Sequence, residues 1–285
     1  MPELYLYQTD YRADPAKCHR LAALALRVFD LDLTTWQEND RYVPHSLFDG
    51  DILVSNASAS RQDYLIDGRL WRTLQLGTVM TDPAYRGQGC AARLIANVLD
   101  LWENRVDFVF LYANESVLDF YPRFGFVPAM QYQTVVSLPG GSRGEGRKIN
   151  LSIPEDLALV RRLAGGSLPS SPSCRLTDGQ ALLRFYLEGA FADALWYLPD
   201  RDLLAVLEPD EGACLVYDLF TPHSYSLGEI LPRIAPSGCR TIRLGFTPSE
   251  TEGLAVTRKP SGDPFFVRGD APPFDGRMLP LLTHT

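Results

Sequence analysis

The sequence predicts an α/β protein: a mixed β-sheet with helices on both faces, followed by a second, smaller α/β unit. Three observations carry this expectation. A strand pattern from Leu74 to Thr81 passes through a glycine-rich turn into an amphipathic helix at about Gly89 to Glu103. Asp107 to Tyr112 is a short, almost wholly apolar run, the signature of a strand buried on both faces. Asp67-Gly68 supplies a two-residue hairpin turn between two strand-like stretches.

Leu4 to Tyr7 reads as a first strand. Asp14-Pro15 gives an N-cap followed by proline at the first helical position, and Cys18, Leu21, Ala22, Ala25, Val28 and Phe29 continue as one apolar stripe. Thr34 to Tyr42 is a polar-aromatic stretch, read as a short helix or a loop. Asp51 to Ser58 and Asp63 to Ile66 read as strands, and the hairpin turn leads into Leu70 to Thr81. The helix after the glycine turn buries Ala91, Leu94, Ile95, Val98, Leu99 and Trp102 on one side. A short helical segment is expected from about Glu115 to Phe120, and a last strand of this sheet from Gln131 to Ser137.

Leu138 to Gly146 is glycine-rich and reads as a linker or flexible loop. The expected domains are therefore 1–137, a linker at 138–150, and 151–285. In the second part, helices are expected at Pro154 to Ala164, Thr177 to Ala194 and Ser226 to Ile234. Strands are expected at Leu203 to Glu208, Ala213 to Leu219 and Arg240 to Phe246. The strand–helix–strand order echoes residues 74–112, as a degenerate copy of the first unit would; any βαβ unit would look similar. Thr221 to Ser226 stands where the glycine turn would recur, so a second copy would not hold a ligand through backbone amides in the same way.

The turn is Arg86-Gly87-Gln88-Gly89-Cys90-Ala91. Its glycines let backbone amides approach a ligand with no Cβ in the way, and a helix start favours an anion. No Lys-Ser or Lys-Thr follows, so it is not a Walker loop; Ala92 stands where a dinucleotide fingerprint needs a third glycine. Arg86, Gly89 and Ala91 form R-x-x-G-x-A, preceded by Val79 to Tyr85. This closely resembles the acetyl-CoA pyrophosphate motif of the GNAT acetyltransferase superfamily; a ligand-free strand-to-helix turn is the plain alternative. Downstream, Asn114 and then Tyr121-Pro122-Arg123-Phe124-Gly125-Phe126 resemble the second signature of that superfamily, a tyrosine shortly before Gly-Phe. The resemblance covers about residues 1–137.

The resemblance implies a GNAT-type fold that binds acetyl-CoA as cosubstrate. Val79, Met80 and Thr81, on a strand splayed from its neighbour, would accompany the pantetheine arm. Arg86, Gly87, Gln88, Gly89, Cys90 and Ala91 would hold the pyrophosphate, and Asn114 would contact the cofactor further along. Tyr121 would protonate the departing thiolate, or else be an aromatic core residue beside Phe120, Phe124 and Phe126. Cys90 reads as a small structural residue facing the pyrophosphate, although a nucleophilic cysteine is the obvious rival. A lysine-like amine must lose a proton at a cost of roughly 4–5 kcal/mol near neutral pH, against ~2 for a thiolate leaving late. The residues do not place the base for that step. Glu38, Asp40 and His45 lie in the segment that lines the acceptor side in this family, each more simply a solvated loop residue.

Composition narrows the remaining classes. The chain has 285 residues, 46% hydrophobic and 22% charged, as in ordinary globular proteins. No apolar run approaches the ~20 residues of a membrane span, and Met1 to Leu4 is no signal peptide. Five dispersed cysteines with no C-x-x-C, and four histidines with no ligand spacing, argue against disulfides and metal and for the cytoplasm. The net charge of −8 disfavours nucleic acid and leans toward a cationic acceptor. The expected function is thus an N-acetyltransferase acting on a primary amine of a small molecule or peptide, and a homodimer is compatible with it. The reading from another class is a non-catalytic CoA-sensing protein.

Overall fold

A computed structural model describes residues 5–210 and 212–284. The first half opens with β1 (Leu6–Thr9), α1 (Pro15–Phe29), β2 (Tyr42–Asp49), β3 (Ile52–Ile66) and β4 (Arg69–Thr81). α2 (Cys90–Trp102), β5 (Phe108–Tyr112), β6 (Val127–Ala129) and β7 (Tyr132–Ser137) follow. Asp14 caps α1 by accepting from the amides of Ala16 and Lys17, with Pro15 in the first turn. The α1 stripe of Cys18, Leu21, Leu24 and Ala25 packs on one face of the sheet with Tyr42, Phe48 and Met80. The α2 stripe of Leu94, Ile95, Val98 and Leu99 packs on the other face with Ala57, Ala59, Leu74, Val109 and Leu111. Strand alternation therefore sorts residues between an α1 face and an α2 face.

The second half contains β8 (Arg147–Lys148), α3 (Pro154–Gly166), β9 (Cys174–Leu176), α4 (Gln180–Phe185) and β10 (Leu195–Leu198). β11 (Leu203–Asp210), β12 (Ala213–Phe220), α5 (Leu227–Ile234), β13 (Thr241–Leu244), β14 (Ala255–Pro260) and β15 (Phe265–Gly269) complete it. The first sheet runs β1-β2-β3-β4-β5-β15-β6, with β9 also paired to β3; the second runs β14-β7-β13-β12-β11-β10-β8. In each sheet one pair is parallel, β4 with β5 and β12 with β13, and each is joined through a helix, α2 or α5. The second half thus repeats the topology of the first.

The two sheets exchange strands. β15 lies antiparallel between β5 and β6, pairing Phe266 with Leu111 on one side and with Pro128 on the other. β7 lies at the corresponding place in the second sheet, between β13 and β14. Phe265 and Val267 pack with Tyr64, Phe108 and Phe110, while Phe266 packs with Tyr121 and Phe126 on the α2 side. A strand apolar on both faces belongs in a sheet interior, and β15 closes an interior position of the first sheet from far along the chain.

Several expectations differ from what is found. Tyr132–Ser137 is a strand as expected but serves the second sheet, because its Val136 completes the core beneath α5. The expected strands at 51–58 and 63–66 are one strand, β3; Ser60 and Gln62, which read as a break, are buried polar residues. β2 escaped notice because Pro44 sits inside it, and proline weakens a strand assignment. The helical segment after Asn114 reduces to two 3₁₀ turns, Glu115–Val117 and Tyr121–Phe124. The helix expected over Thr177 to Ala194 divides into α4, a π-turn at Tyr186–Ala190 and a 3₁₀ turn at Ala192–Ala194. The stretch after Ser137 is pinned rather than loose: Leu138, Arg143 and Glu145 donate their amides to Arg240, Pro232 and Arg233. The first expected strand now begins at Leu6, and Leu4 lies outside the described residues.

A fragment ending at residue 137 would lack β15 and leave β5 with an open apolar edge, a ready template for association. We expect that fragment to aggregate or to melt without a cooperative transition by circular dichroism, whereas the full chain melts in one step. A monomeric fragment with a sharp melt would contradict the exchange.

Candidate active site

Strands β4 and β5 pair only at Thr73–Phe108, Leu74–Val109 and Gln75–Phe110. Beyond that point the edge of β4 from Leu76 to Thr81 has no strand beside it on the β5 side. The separation originates in a bulge. On β3, Ser58 opposes Gly77 and Asn56 opposes Met80, so Thr78 and Val79 face the single residue Ala57. Thr78 takes a positive φ of 41°, a conformation that costs a β-branched residue roughly 1–2 kcal/mol.

A buried polar cluster holds this strained turn. The Tyr42 hydroxyl lies 2.7 Å from Thr78 Oγ1, which donates to Ser58 Oγ at 2.8 Å. Asn56 Nδ2 donates to the Thr78 carbonyl at 3.0 Å and to Ser58 Oγ at 2.9 Å. Ser46 Oγ donates to Asn56 Oδ1 at 2.8 Å and meets the Tyr11 hydroxyl at 2.7 Å. Strain of this kind persists only where the surroundings over-determine it, and five side chains do so here.

The sequence-identified residues gather around the separation. Val79 and Thr81 are half-buried on the free edge, while the Met80 side chain turns into the α1 core, leaving only its backbone for a ligand. Asp82 and a 3₁₀ turn at Pro83–Tyr85 carry the chain to Arg86, whose Nε donates to the Thr81 carbonyl at 3.3 Å. Gly87 and Gly89 adopt φ of 76° and 78°, which glycine alone takes freely, and a Cβ on either would meet no protein atom within 4 Å. Among the described residues no backbone acceptor serves the amides of Gly87, Gln88 or Gly89. α2 starts without a side-chain cap, so its first amides are open as well. Gln88 is fixed by the Tyr5 hydroxyl, which donates to its Oε1 at 2.6 Å. The result is an outward-facing nest of amides at a positive dipole end, beside a strand edge with free backbone groups.

Cys90 is buried under this nest, and burial pushes its thiol pKa up. Asn114 is exposed where β5 ends, and its carbonyl accepts from Val117. Tyr121 is buried on the α2 face against Phe120, Phe126 and Phe266, and burial pushes its pKa up to about 12. Its hydroxyl makes no hydrogen bond among the described residues.

The three candidates for the acceptor side separate. His45 belongs to β2, buried opposite Ala57 on the α2 face, with Nδ1 2.6 Å from the Tyr7 hydroxyl and its pKa pushed down to about 4 by burial. Glu38 lines a cleft of about 660 Å³ together with Asp30, Asp32 and Glu188. Asp40 is exposed at the edge of the neighbouring loop. Between that cleft and the bulge, Leu33, Trp36, Tyr42 and Thr78 meet Leu182, Phe185 and Tyr186 from the second half around a small apolar recess of about 50 Å³. Sequence reasoning missed these second-half walls and also the segment 278–284, which reaches Gln62, Tyr64 and Tyr112 on the α1 face. Nothing in the local sequence signals a partner more than a hundred residues away.

Residues 13–129 match the family model described as the acetyltransferase (GNAT) domain. No curated protein matches the sequence. Among solved structures, a probable N-acyltransferase from Enterococcus faecalis superposes with a TM-score of 0.59 at 14% identity, over 93% of this chain and 72% of that one. Eis1 from Mycobacterium abscessus gives 0.56 at 17% identity, over 93% and 74%. A GCN5-related N-acetyltransferase from Kribbella flavida gives 0.54 at 17%, over 94% and 73%. At such identities these likenesses speak for the fold, and they extend it over both halves.

Because the space at Gly89 is open, Gly89→Ala should cost folding only the strain of its φ, on the order of 1–2 kcal/mol. It should weaken coenzyme A binding about tenfold or more by calorimetry, a loss of at least roughly 1.4 kcal/mol. Unchanged affinity in a folded variant would refute the nest as the anion site.

Proposed function

We propose that the chain, whose residues 13–129 match the acetyltransferase (GNAT) domain model, is an acetyl-CoA-dependent N-acetyltransferase. It passes an acetyl group directly to a primary amine of a small molecule or peptide. The observation that carries this reading is the parted pair β4 and β5 beside a two-glycine turn that heads α2.

The residues present fit such a cosubstrate. Acetyl-CoA would supply an activated acetyl thioester, a pantetheine arm with amide groups, and a diphosphate. The amides of Gly87, Gln88 and Gly89 and the first turn of α2 at Cys90 and Ala91 would take the diphosphate, with Arg86 alongside. The free edge at Val79 and Thr81 offers backbone groups to the arm, and a backbone amide there can polarise the thioester carbonyl. Asn114 stands where the cosubstrate would leave the separation.

Tyr121 suits the role of proton donor to the departing thiolate. Its raised pKa keeps it protonated and its hydroxyl is uncommitted, so it can donate a hydrogen bond to the sulfur as negative charge builds there, although full transfer to a thiolate of pKa about 8.5 runs uphill. Cys90 suits no nucleophilic role, since its thiol is buried and its pKa raised. The acidic lip of the outer cleft, with Asp30, Asp32 and Glu38, favours a cationic acceptor. Among the described residues no helix is long and apolar enough to cross a membrane, and the five cysteines are free and buried, as suits the cytoplasm.

The test is release of free thiol from acetyl-CoA across a panel of amines. Turnover with any of them supports the reading. Tight coenzyme binding with no release from any amine would favour the sensing alternative. Cys90→Ala should keep most of the activity, and an acyl-cysteine trapped in the wild type would refute direct transfer. Tyr121→Phe should lower kcat about 10²-fold with little change in KM. With the Tyr121 pKa near 12, the acid form is lost only as pH rises toward that value. Its titration should therefore give the kcat profile no falling limb between about pH 7 and 10.

A further inference from the structure

The segment 278–284 joins the two halves at their corresponding points. In the second sheet β12 and β13 pair in parallel only as far as Val216–Leu244, so this pair parts just as β4 and β5 do. Here the gap is filled by the chain itself. Thr247 Oγ1 donates to the Met278 carbonyl at 3.0 Å and accepts from the Met278 amide at 2.9 Å, and the Leu281 amide donates to the Gly245 carbonyl at 2.8 Å.

From that seat the segment crosses to the α1 face of the first sheet. Gln62 Nε2 donates to the Thr283 carbonyl and the Tyr64 hydroxyl to Thr283 Oγ1, both at 2.7 Å. The next residue, His284, stacks on Tyr112 with ring centroids 3.7 Å apart and planes 24° from parallel. Tyr112 lies two residues past the last β4–β5 pair, at the mouth of the separation. It shares the α1 face with Phe110, whereas Leu111 and Tyr121 belong to the α2 face. His284 Nε2 is enclosed and has no hydrogen-bond partner, and burial pushes the ring's pKa down to about 3, so the imidazole stays neutral. An enclosed polar nitrogen left unpaired is destabilising. A ligand N–H placed there would remove that cost.

We propose that His284 is a positioning residue for the acceptor: its Nε2 lone pair accepts a hydrogen bond from the attacking amine on the α1 face of the β4–β5 separation. Tyr121 handles the leaving sulfur from the α2 face. The inference rests on the N-acetyltransferase reading and adds to it the side from which the amine arrives and the group that holds it. A neutral imidazole held by stacking is suited to orienting the amine rather than to removing its proton.

The experiment takes an amine that the wild type acetylates and compares His284→Phe with His284→Gln in the full chain. Phenylalanine keeps a ring on Tyr112 but has no nitrogen; glutamine keeps an acceptor atom. The Phe variant should raise the acceptor KM about tenfold, the worth of a neutral hydrogen bond at the upper end of its range. Its acetyl-CoA affinity by calorimetry and its melting temperature should stay near wild type. The Gln variant should recover part of the KM. A wild-type KM in the Phe variant would overturn the inference while leaving the acyltransferase reading intact. Equal losses of coenzyme affinity or of melting temperature in both variants would make the residue structural and overturn it equally. A wild type that acetylates no amine would remove the parent reading and this one with it.

Discussion

Thr78 holds a conformation that a threonine avoids, and the site follows from that. The bulge it creates turns β4 away from β5 after Gln75, which frees the backbone edge that an arm of amides could use. The conformation is maintained by hydroxyl and amide groups of Tyr42, Asn56 and Ser58, buried where a polar atom without a partner would be costly. Each hydrogen bond contributes about 1 kcal/mol net, so the cluster comfortably offsets the roughly 1–2 kcal/mol of backbone strain. The features proposed to bind the cosubstrate are therefore main-chain features: a free strand edge and a nest of amides. On the proposed reading side chains enter chiefly as supports for the backbone, with Tyr121 and His284 the exceptions.

The two halves share a topology and have opposite fates. Each has one parallel pair that parts, but only the first is followed by a turn with two positive-φ glycines and open space around them. In the second, Thr221 to Ser226 replaces the glycine turn, and a Cβ on Gly245 would lie 2.9 Å from the Tyr217 backbone, so the chain is closely packed where the first half is open. The second half still serves the first: β15 closes its sheet, β9 pairs with β3, the segment 278–284 packs on its α1 face, and Leu182, Phe185 and Tyr186 wall the recess beside Thr78.

What the sequence disclosed and what it concealed divide along physical lines. The turn at Arg86 to Ala91, the helix behind it and the strands on either side were legible because glycine placement and a 3.6-residue apolar period are local signals. Tyr121 was legible through its neighbours Gly125 and Phe126. The β2 strand was hidden by Pro44, and the continuity of β3 by Ser60 and Gln62, whose burial only the polar α1 face explains. β14 and β15 were missed because Ala255–Pro260 is mostly exposed and Phe265–Gly269 has only three apolar residues before Arg268 and Gly269. Where β7 would lie could not be read at all, since a strand's partner is set by which core needs Val136. His284 carried no pattern; its meaning depends on Tyr112, far off in sequence.

The reciprocal exchange of β7 and β15 bears on how the molecule comes into being. While a ribosome is still building the second half, the first sheet has its helices but a missing plank between Phe108–Tyr112 and Val127–Ala129, and β7 has nowhere to dock. The second sheet can be finished only after residue 260 emerges and the first only after residue 269, and each then holds a strand from the other half. Such distant pairings are slow to form and leave sticky edges exposed meanwhile. The nascent protein thus has a long window in which chaperones have something to hold, and once closed, neither half can come undone without opening its twin.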